Sequence, residues 1–270
     1  MTSRKLSKPA DLPDDLRPIL ADWLLAAADD VFLLGHRNSD WTGLAPMLEE
    51  DLAFSSIAQD EIAHAQAYYL LVSELTGQPP DKLAYGRSPV QYRCAHLVER
   101  TDDFDWARAV VRQFFYEHYG WLRLQRMVRS AYQPLAELSG KIAQEEKFHL
   151  EHLDDWAVRL GTGTDESRTR AQRAVDKLWP DALCLFEPVD GEQRLVEAAI
   201  FPSAGCDIRR AWFEEVSRVL DRAGLTVPSA DGMDRSSCPP GGRRGVRSES
   251  FGELFAELAE VYRIEPDARW

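Results

Sequence analysis

The chain has 270 residues, 44% of them hydrophobic, which is enough for one large helical domain or for one domain with a smaller appendage. Its formal net charge of -13 gives no electrostatic support to a function in nucleic-acid binding. The sequence contains no apolar run of about eighteen residues, and its start lacks the apolar core of a signal peptide, so we expect a cytoplasmic protein without a membrane span.

Four long helices are predicted in the first part of the chain. Residues 1–16 contain several prolines and aspartates and are expected to form an N-terminal tail. Beyond them, apolar residues recur at the three- and four-residue spacing of buried helix faces, and glycine or proline marks most of the ends. These signals predict long helices over about 16–36, 45–76, 106–132 and 134–161. A loop is expected over 77–89 and a shorter helix over about 90–99.

The remainder of the chain is predicted to be helical but less regular. Further helices are expected over about 164–186, 207–223 and 251–262. Residues 187–206 should be irregular with a short helical turn, and residues 226–250, rich in Gly, Pro, Ser and Arg, should form a long loop. The predicted fold is therefore all-α, with a helical bundle over 17–186 and a C-terminal helical extension over 187–270 packed on the same domain.

Two copies of a Glu-x-x-His motif stand out in the second and fourth long helices. Glu61 precedes His64, and Glu146 precedes His149, so each pair leaves one face of its helix one turn apart. The other positions on these faces are apolar, among them Phe54, Ile57, Leu71, Ile142, Leu153 and Trp156. A carboxylate on a buried face is unfavourable unless it is paired, protonated or bound to a cation, so the motifs indicate a metal site.

The first and third long helices each carry one acid in the same register, Asp30 and Glu117. Asp29 competes with Asp30, but only Asp30 falls on the apolar face. The combined set matches the ligands of ferritin-like di-metal carboxylate bundles and consists of Asp30, Glu61, His64, Glu117, Glu146 and His149. A buried salt-bridge network of the same groups is the alternative, although four carboxylates without a cation would repel strongly.

Mixed imidazole and carboxylate ligands favour two iron ions, with manganese as a less favoured occupant. Asp60 and Glu145 immediately precede the motif glutamates, and we expect each to accept the free N–H of the other motif's histidine, Asp60 from His149 and Glu145 from His64. Both could instead be solvated helix acids. The four cysteines are scattered, with no spacing that suggests zinc or an iron–sulfur cluster, so electrons for redox chemistry must come from elsewhere.

Several residues near the predicted ligands have open interpretations. Phe114 and Trp121 are expected in the core, where they could also wall a substrate pocket. His118 steps off the ligand face and is interpreted as a surface or structural residue. A basic cluster in the predicted long loop is either solvated or contacts an acidic ligand, such as a coenzyme A phosphate, or a partner subunit; it comprises Arg243, Arg244 and Arg247.

The sequence resembles the phenylacetyl-CoA epoxidase family, in which the catalytic and the structural subunits, termed A and C, are homologous. Segments like those of the C subunit span most of the chain and include Leu48–Ala53, Val111–Phe114, Arg159–Thr164, Leu178–Pro180 and Gly242–Leu254. The metal motifs differ, because typical C subunits have lost the Glu and His at the positions of Glu61 and His64. Here both motifs resemble those of the catalytic A subunit.

The resemblance implies a ferritin-like di-iron oxygenase, an oxidoreductase of phenylacetate catabolism that inserts one oxygen atom into an aromatic acyl-CoA to give a ring epoxide. It also implies a separate reductase and a homodimer or a heteromer with a homologous subunit. Catalytic roles would fall on Glu61, Glu117 and Glu146. The alternatives are a non-catalytic structural subunit of the C type, or a ferritin-like oxidase.

Overall fold

A computed structural model of the chain describes residues 6–101, 103–202, 205–228 and 241–266. Within these ranges the regular structure is helical and contains no strand, which confirms the predicted all-α, ferritin-like fold class. None of the described helices combines the length and the hydropathy that a membrane span requires. The helices are α1 Arg17–Ser39, α2 Leu48–Thr76, α3 Pro80–Tyr85, α4 His96–Glu99, α5 Trp106–Met127, α6 Gln133–Thr162, α7 Asp165–Leu183, α8 Glu192–Glu197, α9 Gly205–Arg222, α10 Phe251–Leu258 and α11 Glu260–Ile264.

The chain forms two compact units. Unit 1 contains the described residues of Met1–Asp11 and Asp102–Pro240, and unit 2 contains those of Leu12–Thr101 and Gly241–Trp270. Each unit includes one pair of long helices joined by a short connection, α5 with α6 in unit 1 and α1 with α2 in unit 2. The predicted C-terminal extension is divided, because residues 187–228 belong to unit 1 and residues 241–266 to unit 2.

In unit 2, α1 and α2 approach closely at Gly35. A Cβ atom on Gly35 would lie 2.8 Å from a side-chain carbon of Ile62 and 2.9 Å from the carbonyl oxygen of Ala58. It would also lie 3.1 Å from Cβ of Glu61, the first residue of a Glu-x-x-His motif. The missing side chain at Gly35 therefore sets the spacing of the two helices beside a predicted metal ligand.

The segment before α4 differs from its prediction. A helix was expected over 90–99, but residues around Tyr92 and Ala95 are extended, and they separate a 3-10 turn, Pro89–Gln91, from the one-turn helix α4. The N–H groups of Arg93 and Ala95 donate instead to the carboxylates of Asp29 and Asp30, at 2.6 and 2.8 Å. Buried acids of α1 therefore satisfy backbone donors that a local helix would otherwise use. The predicted loop over 77–89 also contains the short helix α3.

In unit 1, α5, α6, α7 and α9 pack against one another. Asp105 caps the start of α5. Its carboxylate accepts a hydrogen bond from the N–H of Ala107 at 3.0 Å, which satisfies one of the free donors at the helix start. Trp212 of α9 is fully buried and donates its indole N–H to the carbonyl of Phe115 at 2.9 Å. The rings of Phe115, Trp179 and Phe186 pack around Trp212 between the helices.

The late part of the chain contains short helical pieces. Residues 187–206, predicted to be irregular with a short helical turn, contain the six-residue helix α8. Part of the predicted long loop, residues 229–240, lies outside the described residues. The rest of that loop includes a short 3-10 turn, Gly242–Arg244, which leads towards α10.

Candidate metal centre

Three of the predicted ligands come together inside unit 1. Glu117 lies on α5 and Glu146 and His149 lie on α6, and all three side chains are buried. Nδ1 of His149 is 3.9 Å from Oε1 of Glu117 and 4.0 Å from Oε2 of Glu146. One ligand atom from each of the three residues lies within 4.8 Å of the others.

These separations suit a cation better than direct hydrogen bonds. The distances from His149 exceed the usual limit of roughly 3.2 Å for an N–H···O bond. Ligands about 2.0–2.2 Å from a metal ion lie up to roughly 4.4 Å apart when they face each other across it. An imidazole with carboxylates in a dry site is also a donor set that iron and manganese accept.

The orientation of Glu117 is held by a residue that the sequence analysis did not single out. Nε2 of Gln113 donates to Oε1 of Glu117 at 2.5 Å, one turn earlier on α5, and both side chains are fully buried. A donor that fixes a carboxylate in this way orients it towards the cluster. The available signal was the position of Gln113 four residues before Glu117 on the same face.

His118 is buried and structural, in line with one of its two interpretations. Its Nε2 lies 2.9 Å from Oδ1 of Asp154 on α6, and its Nδ1 lies 3.5 Å from Oε2 of Glu215 on α9. Burial alone would lower the pKa of His118, but the neighbouring carboxylates of Asp154 and Glu215 outweigh it and raise the pKa above 6.5. The residue therefore links three helices of unit 1.

In unit 2, Glu61 and His64 occupy the buried face of α2, as the motif predicts. Both acids of α1 are buried too, but each already has strong partners. The guanidinium of Arg243 donates to both oxygens of Asp30, at 2.8 Å each, and Ala95 adds its N–H. Such a bidentate pair competes with a metal ion for the same lone pairs, so the assignment of Asp30 as a ligand stays a prediction.

Asp29 is held in a similar way, although by different groups. Tyr69 donates its hydroxyl to Oδ1 at 2.7 Å, and Arg87 donates to both carboxylate oxygens. Burial and the neighbouring Asp29 carboxylate raise the pKa of Tyr69 well above 10.0, so its hydroxyl keeps the proton that it donates. These contacts make Asp29 a structural anchor for the segment that carries Arg87 and Arg93.

The three arginines of the basic cluster in the late loop differ in their burial and contacts. Arg243 is only 4% exposed, so the solvated interpretation is wrong for it, and its acidic contact is Asp30 of the same chain. Arg247 donates to Oε1 of Glu99 at 2.5 Å and is also largely buried. Arg244 is exposed, and a contact with an acidic ligand or a partner subunit stays a prediction for it.

The other predicted residues have the following positions. Asp60 is half-buried and Glu145 is exposed, and their bonds to the opposite histidines stay predictions. Phe114 is fully buried, with its ring edge-on to His118 at 4.8 Å between centroids. Trp121 is half-buried. Whether either ring borders a substrate also stays a prediction.

The fold and this cluster together define a class, the all-α ferritin-like proteins with buried carboxylate and histidine side chains on paired helices. Residues 1–270 match the family described as Phenylacetic acid catabolic protein, and the chain belongs to that family. It is 31% identical to the C subunit of 1,2-phenylacetyl-CoA epoxidase from Escherichia coli K12 over 252 residues, which cover 93% of this chain and 99% of that protein. It is 23% identical to the A subunit of the same enzyme over 232 residues, which cover 83% of this chain and 74% of that protein.

Proposed function

We propose that this chain is an iron-binding oxygenase subunit of a phenylacetyl-CoA epoxidase, an oxidoreductase acting in phenylacetate catabolism. The buried group of Glu117, Glu146 and His149 is the observation that supports it best. A carboxylate pair in a dry interior repels itself, and a bound cation removes that cost. The similarity to two epoxidase subunits supplies the reaction class.

In this proposal two iron ions are held by the ligands that the sequence predicts, with manganese as the less favoured metal. Five of these ligands are Glu61, His64, Glu117, Glu146 and His149. Asp30 is the sixth predicted ligand, and it would have to share its oxygens with Arg243. Iron bound by these residues would supply the activation of dioxygen, with electrons from a separate reductase.

The protein's own residues have three tasks at this site. The carboxylates of Glu117 and Glu146 balance the charge of the cations, while the surrounding apolar side chains keep water out. Gln113 holds Glu117 in one orientation through its 2.5 Å hydrogen bond. A rigid, dry ligand set limits side reactions of the activated oxygen, and this favours insertion of one oxygen atom into an aromatic acyl-CoA.

The similarity to the C subunit supports a second candidate function, a non-catalytic structural subunit in a heteromer with a homologous catalytic chain. The two functions differ in whether the chain itself carries out the oxidation. The presence of both Glu-x-x-His motifs favours the catalytic one. A homodimer and a heteromer are both compatible with it.

A single-turnover experiment separates the two candidates. The purified chain, loaded with ferrous iron without oxygen, is mixed with phenylacetyl-CoA and a pulse of oxygen, and the products are separated by mass. We expect a product heavier by one oxygen atom, and none from Glu146→Gln. If product appears only after a homologous catalytic protein is added, and the yield is the same with Glu146→Gln, the chain is a structural subunit.

A further inference from the structure

A concave pocket lies in unit 1 between α7 and the start of α5. Its cavity is about 400 Å³, and its lining includes Asp105, Arg108, Glu166, Arg170, Arg173 and Lys177. It is separate from the candidate metal centre, because Glu117 lies twelve residues beyond Asp105 on α5, which is roughly 18 Å along the helix axis. A cavity of this size suits a small molecule or one end of it.

The lining is basic in a chain that is otherwise acidic. It contains four cationic and two anionic side chains, a local net charge of about +2 against -13 for the whole chain. Glu166 is engaged by Nε of Arg170 at 2.6 Å, and Asp105 already caps α5. Arg108 is paired with Asp103, outside the lining.

Two cations of the lining remain available. Arg173 and Lys177 are four residues apart on one face of α7, and both are exposed. Within the described part of the chain, neither side chain forms an ion pair or a hydrogen bond. Like charges at this spacing disfavour a helix slightly, and an anion bound between them would reverse that effect.

We propose that Arg173 and Lys177, with Arg170 at the rim, bind the phosphate groups of a small nucleotide-type ligand. A guanidinium and an ammonium group in the lining of one cavity are suited to a phosphate, which accepts several charge-assisted hydrogen bonds at once. The concave shape favours a small molecule over the flatter surface of an acidic protein. A free nucleotide and the nucleotide end of a coenzyme A thioester share this chemistry. The inference does not depend on the metal site.

Titration calorimetry at low ionic strength, with the full chain, tests the inference using ADP, coenzyme A and inorganic phosphate as probes. We expect ADP and coenzyme A to bind and the affinity to fall as salt is added. Arg173→Glu with Lys177→Glu should weaken binding at least about tenfold, since charge-assisted bonds are lost and like charges introduced. Arg210→Glu with Arg218→Glu, two exposed arginines on α9, makes the same charge change elsewhere and should leave affinity within about twofold.

The outcomes distinguish the possible ligands. If ADP and coenzyme A bind with equal affinity, the site recognises the nucleotide group. If coenzyme A binds more tightly, the site also contacts its pantetheine arm. The inference fails if neither nucleotide binds, or if both double variants lose affinity equally. It also fails if a polyglutamate peptide binds more tightly than either nucleotide, because the surface would then be a protein contact. Unchanged urea unfolding of the variants shows that they are folded.

Discussion

Arg243 donates to both carboxylate oxygens of Asp30, at 2.8 Å each, and both side chains are buried. The pair joins a turn near the end of the chain to the middle of α1, more than 200 residues earlier, within unit 2. A third contact, from Arg243 to the carbonyl of Arg93 at 2.9 Å, ties the extended segment to the same point. The guanidinium therefore anchors two segments on one acid.

Replacing Arg243 by Gln should destabilise the protein by about 3–5 kcal/mol, because a buried carboxylate then loses its counter-charge. Urea unfolding followed by circular dichroism measures the change. Arg244→Gln removes the same charge from the exposed neighbour and should shift the free energy of unfolding by about 0.5 kcal/mol or less.

The double variant Asp30→Asn with Arg243→Gln makes that prediction more specific. Neutralising both partners leaves neither member of the pair charged, so the double variant should be more stable than the sum of the two single changes predicts. If the changes in the free energy of unfolding of the two single variants add up to that of the double variant, the two side chains do not form this pair in solution.

Gly35→Ala should destabilise the packing of α1 on α2 by about 1–3 kcal/mol, because the new Cβ would meet Ile62 and the carbonyl of Ala58 at under 3 Å. Gly140 is the matched control on α6, where a Cβ would meet nothing within 4 Å. Gly140→Ala should be neutral or stabilising by up to about 1 kcal/mol. Thermal and urea unfolding of both variants tests this, and an equal loss of stability at both sites would contradict the close approach.

His118→Gln should change stability in a pH-dependent way. The raised pKa of His118 means that its charged form is favoured in the folded protein. Its contribution is therefore fully present below the unfolded pKa of about 6.5, and it is lost as the pH rises through the higher folded pKa. We expect the variant to be less stable than wild type by about 2 kcal/mol near pH 5.5, and by less near pH 9.

Unfolding curves across this pH range measure the difference between the two proteins. A difference that stays constant with pH would show that His118 is not protonated on folding. A difference that grows as the pH rises would reverse the sign of the predicted pKa shift.

Gln113→Leu should weaken iron binding about tenfold, because Glu117 loses the donor that holds its carboxylate. Competition with a chelator measures the affinity without any catalytic step. Gln125→Leu makes the same substitution at an exposed position of α5 and should leave the affinity unchanged. If both variants bind iron equally well, the hydrogen bond does not position a ligand.

The long helices and the inward direction of the motifs were predictable from local patterns. The spacing of apolar residues and a proline predicted a fourth long helix over 134–161. The corresponding helix in the structure, α6, spans Gln133–Thr162. The same register placed Glu146 and His149 on the buried face, where they lie. Helical periodicity is a property of neighbouring residues, so the sequence contains it directly.

Contacts between distant residues were not predictable in this way. The extended segment before α4 has N–H groups that bind Asp29 and Asp30, more than 60 residues earlier, and a helix prediction for it failed. Arg243 is buried in a region whose composition is that of a solvated loop, because its partner lies on α1. A local sequence pattern does not show which acidic residue will pair with an arginine far away in the sequence.

The central claim is that Glu117, Glu146 and His149 belong to a metal site, and the iron content of the purified chain after anaerobic loading tests it most directly. We predict about two iron ions per wild-type chain, as in the di-metal carboxylate bundles, and a large loss in Glu146→Ala. Glu151→Ala, an exposed control on α6, should keep the wild-type content. Equal iron content in wild type and both variants, or none in any of them, would contradict the account.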